Sequence, residues 1–80
     1  MLDFWTAYRR LRKHHVTRAE VLAVETGASV WTVRAWDMSA RRSKDKHARS
    51  PNQSHKTQLA KLARAKGAPD EIASALEPKS

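Results

Sequence analysis

The sequence predicts an all-α fold, a single compact domain of five helices over residues 1–80 in which helices two and three form a helix-turn-helix. Three observations predict it. Apolar residues recur at spacings of three and four along most of the chain, and no stretch alternates apolar and polar residues with β-branched enrichment. Gly27, Pro51, Gly67 and Pro69 fall between the periodic stretches, where a chain of helices needs its stops. Eighty residues bury only about 60% of the surface that the unfolded chain exposes, so the core is small and oligomerisation is one route to added stability.

The first helix is expected over residues 2–14. Phe4, Tyr8 and Leu11 share a face with Leu2 and Trp5 beside them, while Arg9, Arg10, Arg12 and Lys13 occupy the remaining arc. Thr17-Arg18-Ala19-Glu20 has the form of a capping box, in which the Thr17 hydroxyl accepts the amide of Glu20 and the Glu20 carboxylate reaches back to the amide of Thr17. That predicts a second helix from about 18 to 26, stopped by Gly27 in a left-handed conformation. Val21 and Val24 lie on one arc of it and are expected to be covered by helices four and five rather than to join a dimer interface. Ser29 caps a third helix running to about Ala40 or beyond. Residues 41–55 read as a basic linker, since Pro51 disfavours helix at Ser50. A fourth helix follows from about 52–54 to 66, with Leu59, Leu62 and Ala63 as its apolar stripe. Pro69, placed in the first turn with Asp70 and Glu71 behind it, opens a fifth, which buries Ile72, Ala73 and Leu76. Residues 77–80 read as a tail.

Composition excludes several classes. With no cysteine, a disulfide framework and a thiolate zinc site are both ruled out. No apolar run is long enough to span a bilayer, and Leu2-Asp3-Phe4-Trp5 does not resemble a signal region, so a cytoplasmic protein without membrane contact is expected. His14 and His15 are adjacent and point apart, and His47 and His55 lack carboxylate support beyond Asp45, so no metal site is expected. Without a phosphate-binding glycine loop, a thiol nucleophile or a placed acidic pair, the chain does not read as an enzyme. No cofactor or small-molecule ligand is indicated, and so short a chain is expected to leave little room for a pocket.

The net charge of +8 is unevenly placed. Residues 41–57 carry Arg41, Arg42, Lys44, Lys46, Arg49 and Lys56 against Asp45 alone. Such a cluster fits a polyanion, because each phosphate neutralised releases counterions; it also fits a solvated helix end.

The stretch from Leu22 to Trp36 narrows the choice. Two helices that cross steeply through a short turn need a small residue at their contact, which Ala23 supplies, and a positive φ in the turn, which Gly27 supplies. Val33 and Trp36, three apart, face back toward Leu22 and the first helix, which leaves Trp31, Arg34, Ala35 and Met38 on the outer arc.

With Ala23, Gly27, Ser29, Thr32, Val33 and Trp36 in one register, residues 19–38 resemble the helix-turn-helix regulators of the Cro/C1-repressor type found in phages and bacteria. The chain departs from that pattern at Ala28, where a branched aliphatic is usual, at Ala19, where many relatives place a glutamine that contacts phosphate, and at Ser39, where a glycine is common. The resemblance implies sequence-specific binding of double-stranded DNA by a homodimer, acting as a transcriptional repressor or regulator. Carried over position by position, it puts Ser29, Val30, Trp31, Arg34 and Ala35 at the base edges, with Thr32 nearer the backbone. Arg18, Arg41, Arg42, Lys44 and Lys46 would hold phosphates. Arg34 can donate two hydrogen bonds to guanine O6 and N7, or pair with Asp37; Trp31 can face the groove or pack under the later helices. Two other uses of the same helices stay open. One is a protein-interaction module, such as a host polymerase inhibitor or an antitoxin, and the other is an architectural or excision-directing DNA-binding protein. RNA binding is disfavoured by the few aromatics free for stacking.

Overall fold

The computed structural model describes residues 2–42 and 51–78. In chain order the helices are α1 (Phe4–His14), α2 (Ala19–Thr26), α3 (Val30–Arg41), α4 (Gln53–Ala65) and α5 (Asp70–Leu76), with no strand among the described residues. The fold is all-α, as expected. Lys44, Lys46 and the rest of 43–50 lie outside the described residues.

Local chemistry sets most of the boundaries. Asp3 caps α1 by accepting the Thr6 amide at 2.7 Å, so the helix starts two residues later than the apolar pattern suggested. The same bond from Thr6 holds the Asp3 carboxyl below its ordinary pKa. Asn52 caps α4 by accepting the His55 amide at 2.8 Å. Pro69 sits just outside α5 as its N-cap, one position earlier than expected. Since α3 takes in Arg41 and α4 begins at Gln53, the connection between them is shorter than the predicted 41–55 at both ends.

The capping box does not form. Arg18 is the N-cap of α2, no side chain caps that helix, and Thr17 is exposed. The exit from α1 explains this. The Val16 amide bonds back to the Leu11 carbonyl at 2.8 Å, its side chain is buried, and its carbonyl accepts from Arg12 at 2.8 Å. The turn is thus fixed by what anchors Val16, and a capping gain of about 1 kcal/mol is too small to override it.

The core runs through all five helices. Tyr8, Leu11, Leu22, Val33, Leu59 and Leu76 are its largest fully buried side chains. α5 packs on α4 and α1, α2 packs on α3 and α4, and α1 packs on α3. Phe4, Trp5, Tyr8 and Trp36 make a chain of ring contacts, with Trp5–Tyr8 and Tyr8–Trp36 edge to face at 5.6 and 6.4 Å. Arg64 bridges α4 to both Asp70 and Glu77 at the ends of α5. Val21 is half-buried against the core, but Val24 is 79% exposed, so the expected cover is missing at the second of the pair. No helix among the described residues is long and apolar enough to cross a membrane.

Candidate nucleic-acid interface

The connection from α2 to α3 is three residues long, 27–29, and each has a job. Gly27 takes φ +70, and its amide closes α2 onto the carbonyls of Ala23 and Val24. Ala28 donates to the Ala23 carbonyl at 3.0 Å while its side chain packs on the core. Ser29 then caps α3, its Oγ accepting the Thr32 amide at 3.1 Å and lying 2.9 Å from the Thr32 hydroxyl. α3 therefore starts at a defined point.

Its inner face is fastened along most of its length. Val33, Trp36 and Ala40 are buried. Between them Asp37 turns toward α1. Its Oδ1 accepts from the Tyr8 hydroxyl at 2.7 Å and from Arg12 Nε at 3.1 Å, and its Oδ2 accepts from Arg12 Nη2 at 3.2 Å. The Tyr8 hydroxyl also lies 3.5 Å from the Val33 carbonyl. Burial, reinforced by the Asp37 carboxylate, pushes the Tyr8 phenol well above its ordinary pKa. Burial works against the Arg12 charge, but the hydrogen bond and charge of Asp37 outweigh it and raise its pKa. One turn on, Arg9 donates to the Ala40 carbonyl. About one helical turn of α1, Tyr8 to Arg12, thus grips about two of α3, Val33 to Ala40.

The outer face is left open. Trp31 is 79% and Met38 55% exposed, and Arg34 and Ala35 between them are exposed too. These four positions share one side of the helix. The Arg34 guanidinium lies 5.8 Å from the centre of the Trp31 ring. Asp37 is no partner for it, because that carboxylate is taken by Arg12 and Tyr8. Arg41 and Arg42 stand exposed at the far end of α3, and Arg18 at the start of α2.

Among the residues that sequence reasoning assigned to base edges, the structure brings Trp31, Arg34 and Ala35 onto one open surface and adds Met38. Val30 is half-buried and packs partly on the core. Ser29 is exposed, but its hydroxyl is engaged in the cap with Thr32. Of the five basic residues assigned to phosphate, Arg18, Arg41 and Arg42 are exposed; Lys44 and Lys46 fall in 43–50.

The Arg12–Asp37–Tyr8 group was not foreseen. Arg12 had been placed on the solvent arc of α1, yet its side chain is only 18% exposed. The available signal was the i, i+4 placement of Tyr8 and Arg12 opposite an acid that follows Trp36 directly.

Other candidate chemistry is sparse. Among the described residues no three His, Asp or Glu side chains gather closely enough to hold a metal ion. His55 instead packs on Trp36, with ring centres 5.2 Å apart. The expectation of little pocket space needs correction, because an open groove of about 840 Å³ lies between the start of α1, α4 and α5. Leu2, Phe4, Ala75 and Pro78 supply its apolar lining, and the Lys56 ammonium sits 5.1 Å from the Phe4 ring centre. Comparison of the chain with protein-family models, with curated proteins and with solved structures gave no match.

Proposed function

We propose that this protein binds double-stranded DNA sequence-specifically by laying the outer face of α3 in the major groove, as helix-turn-helix regulators do. The observation that carries the reading is a helix gripped on its inner side by Tyr8, Arg9 and Arg12 while Trp31, Arg34, Ala35 and Met38 stay open on the other. A helix that reads base edges needs both properties, a fixed pose and an unoccupied face about as wide as the groove. Arg34 contacts bases, while Arg18, Arg41 and Arg42 neutralise phosphate and set the register. Lys44 and Lys46 extend the basic cluster in the sequence and belong to the same backbone-contacting set.

The protein acts as a transcriptional regulator, most economically a repressor, since a bound protein occludes a promoter without any further surface. A homodimer suits the small core and the resemblance to Cro/C1-type regulators. Two copies would set their recognition helices about 34 Å apart, one turn of DNA.

Selection of bound sequences from a random duplex pool at physiological salt tests this reading. Enrichment of an inverted repeat, with an affinity that falls steeply as salt rises, is expected. A pool that stays random, with affinity too weak to depend on salt, would remove the proposal. A second reading is favoured by Trp31, Ala35 and Met38, apolar side chains open to solvent along one face of α3. Such a surface suits a protein partner, and that case gives a salt-tolerant complex with a protein and no enriched duplex.

A further inference from the structure

The outer face of α3 carries few groups that hydrogen-bond: it has no free carboxylate or amide, and the half-buried Ser39 at its edge has the one hydroxyl not tied into the helix cap. The one acid on the helix, Asp37, is turned inward and bound by Tyr8 and Arg12. The hydroxyls of Ser29 and Thr32 are committed to each other and to the helix cap. What remains outward at positions i, i+3, i+4 and i+7 is Trp31, Arg34, Ala35 and Met38.

Set against the major groove, that inventory eliminates most readings. The amino group of cytosine needs an acceptor, and the paired N6 and N7 of adenine need a group that both donates and accepts. The four exposed side chains, Trp31, Arg34, Ala35 and Met38, offer neither. A guanidinium matches the two acceptors of guanine, and apolar side chains match the C5-methyl group of a pyrimidine. The four residues span about 10 Å of helix, roughly three base-pair steps. Arg34 and Trp31 lie 5.8 Å apart, guanidinium to ring centre, so the polar and the apolar contact fall on neighbouring bases.

Resting on the DNA-binding reading above, we infer that α3 reads guanine beside pyrimidines that carry a C5-methyl group, with Arg34 on the guanine and Trp31, Ala35 and Met38 on the methyls. Thymine and 5-methylcytosine both present that methyl, and the chemistry of the face accepts either source.

The test uses the full chain and three random duplex pools. One is synthesised with thymine, one with uracil in its place, and one with uracil together with 5-methylcytosine for cytosine. Enrichment of guanine beside the methylated pyrimidine, in the first pool, the third or both, supports the inference and says which source supplies the methyl. Winners from those pools, remade with the methyl absent, should bind about fourfold more weakly per methyl removed, roughly fifteenfold for two. Trp31→Ala should shrink that ratio toward one, and because the side chain stands 79% exposed the variant should stay folded, as circular dichroism would check. Should the uracil pool yield the same motif at equal affinity, the inference is overturned while DNA binding stands. If no pool enriches at all, DNA binding and the inference fail together, and the apolar face belongs to a protein partner.

Discussion

Replacing Asp37 with alanine is the most informative single perturbation, because this carboxylate accepts three of the hydrogen bonds that join α1 to α3. Its side chain is 29% exposed and that of Arg12 18%, so the pair is neither free in solvent nor sealed in the core. Breaking a fully buried pair costs about 3–5 kcal/mol, because the surviving charge is stranded, whereas an exposed pair is worth about 0.2–1 kcal/mol. Here two hydrogen bonds from one guanidinium and one from a phenol are lost together, and a hydrogen bond to a charged group contributes about 1.5–3 kcal/mol. We expect Asp37→Ala to cost about 2–3 kcal/mol, a fall in Tm of roughly 10–20 °C for a chain of this size. Thermal and urea unfolding followed by circular dichroism at neutral pH measure it. Arg12→Ala and the double variant complete a cycle, in which a coupling of about 1.5 kcal/mol or more is expected. A loss below about 0.5 kcal/mol, or a coupling near zero, would show that the carboxylate does not fasten α3, and the argument for a fixed reading helix would go with it.

Four further outcomes are expected. Arg34→Ala should weaken the preferred duplex by about 1–3 kcal/mol and relax selection at one base position, with random DNA little affected; equal losses on both, in parallel binding titrations, would take base reading away from it. Arg42→Ala should weaken all sequences alike and lower the slope of log affinity against log salt by about one, so an unchanged slope would place Arg42 off the phosphates. Because the Tyr8 phenol is raised above its ordinary 10.0, the unfolded chain loses that proton first. Stability should therefore fall as pH rises past about 10, by up to about 1.4 kcal/mol per pH unit. Tyr8→Phe should flatten this slope in denaturant midpoints, and parallel slopes would contradict the buried phenol. Gly27→Ala meets nothing within 4 Å, so only the backbone strain at φ +70 opposes it. It should cost about 1–2 kcal/mol in urea unfolding, and a neutral result would argue against the left-handed turn.

Much of the fold was legible because local chemistry and core pattern agreed. Ser29, Gly27 and Asn52 take the cap and stop roles their residue types favour, and Tyr8, Leu11, Val33, Trp36 and Leu59 are buried at the spacings that suggested it. Thr17 shows the limit. Its capping box is as good a motif as Ser29, but the anchored carbonyl and side chain of Val16 decide the turn. Val24 failed differently, since which arc of α2 is covered depends on where α4 lies, and no residue of α2 encodes that. The outward set Trp31, Arg34 and Ala35 was readable from helical geometry once Val33 and Trp36 pointed inward. The clamp behind it was harder to read: Tyr8 and Arg12 stand i, i+4 on α1, but their partner Asp37 is 25 residues from Arg12 and nothing local marks it as theirs.

The unequal placement of the three tryptophans gives the protein a built-in optical reporter. Trp36 is 5% exposed and Trp5 half-buried among other rings, while Trp31 faces water on the one surface in question. Emission quenched by iodide should come mainly from that indole. Occupation of the α3 face by any ligand should shield it, so fluorescence alone could follow binding without a label.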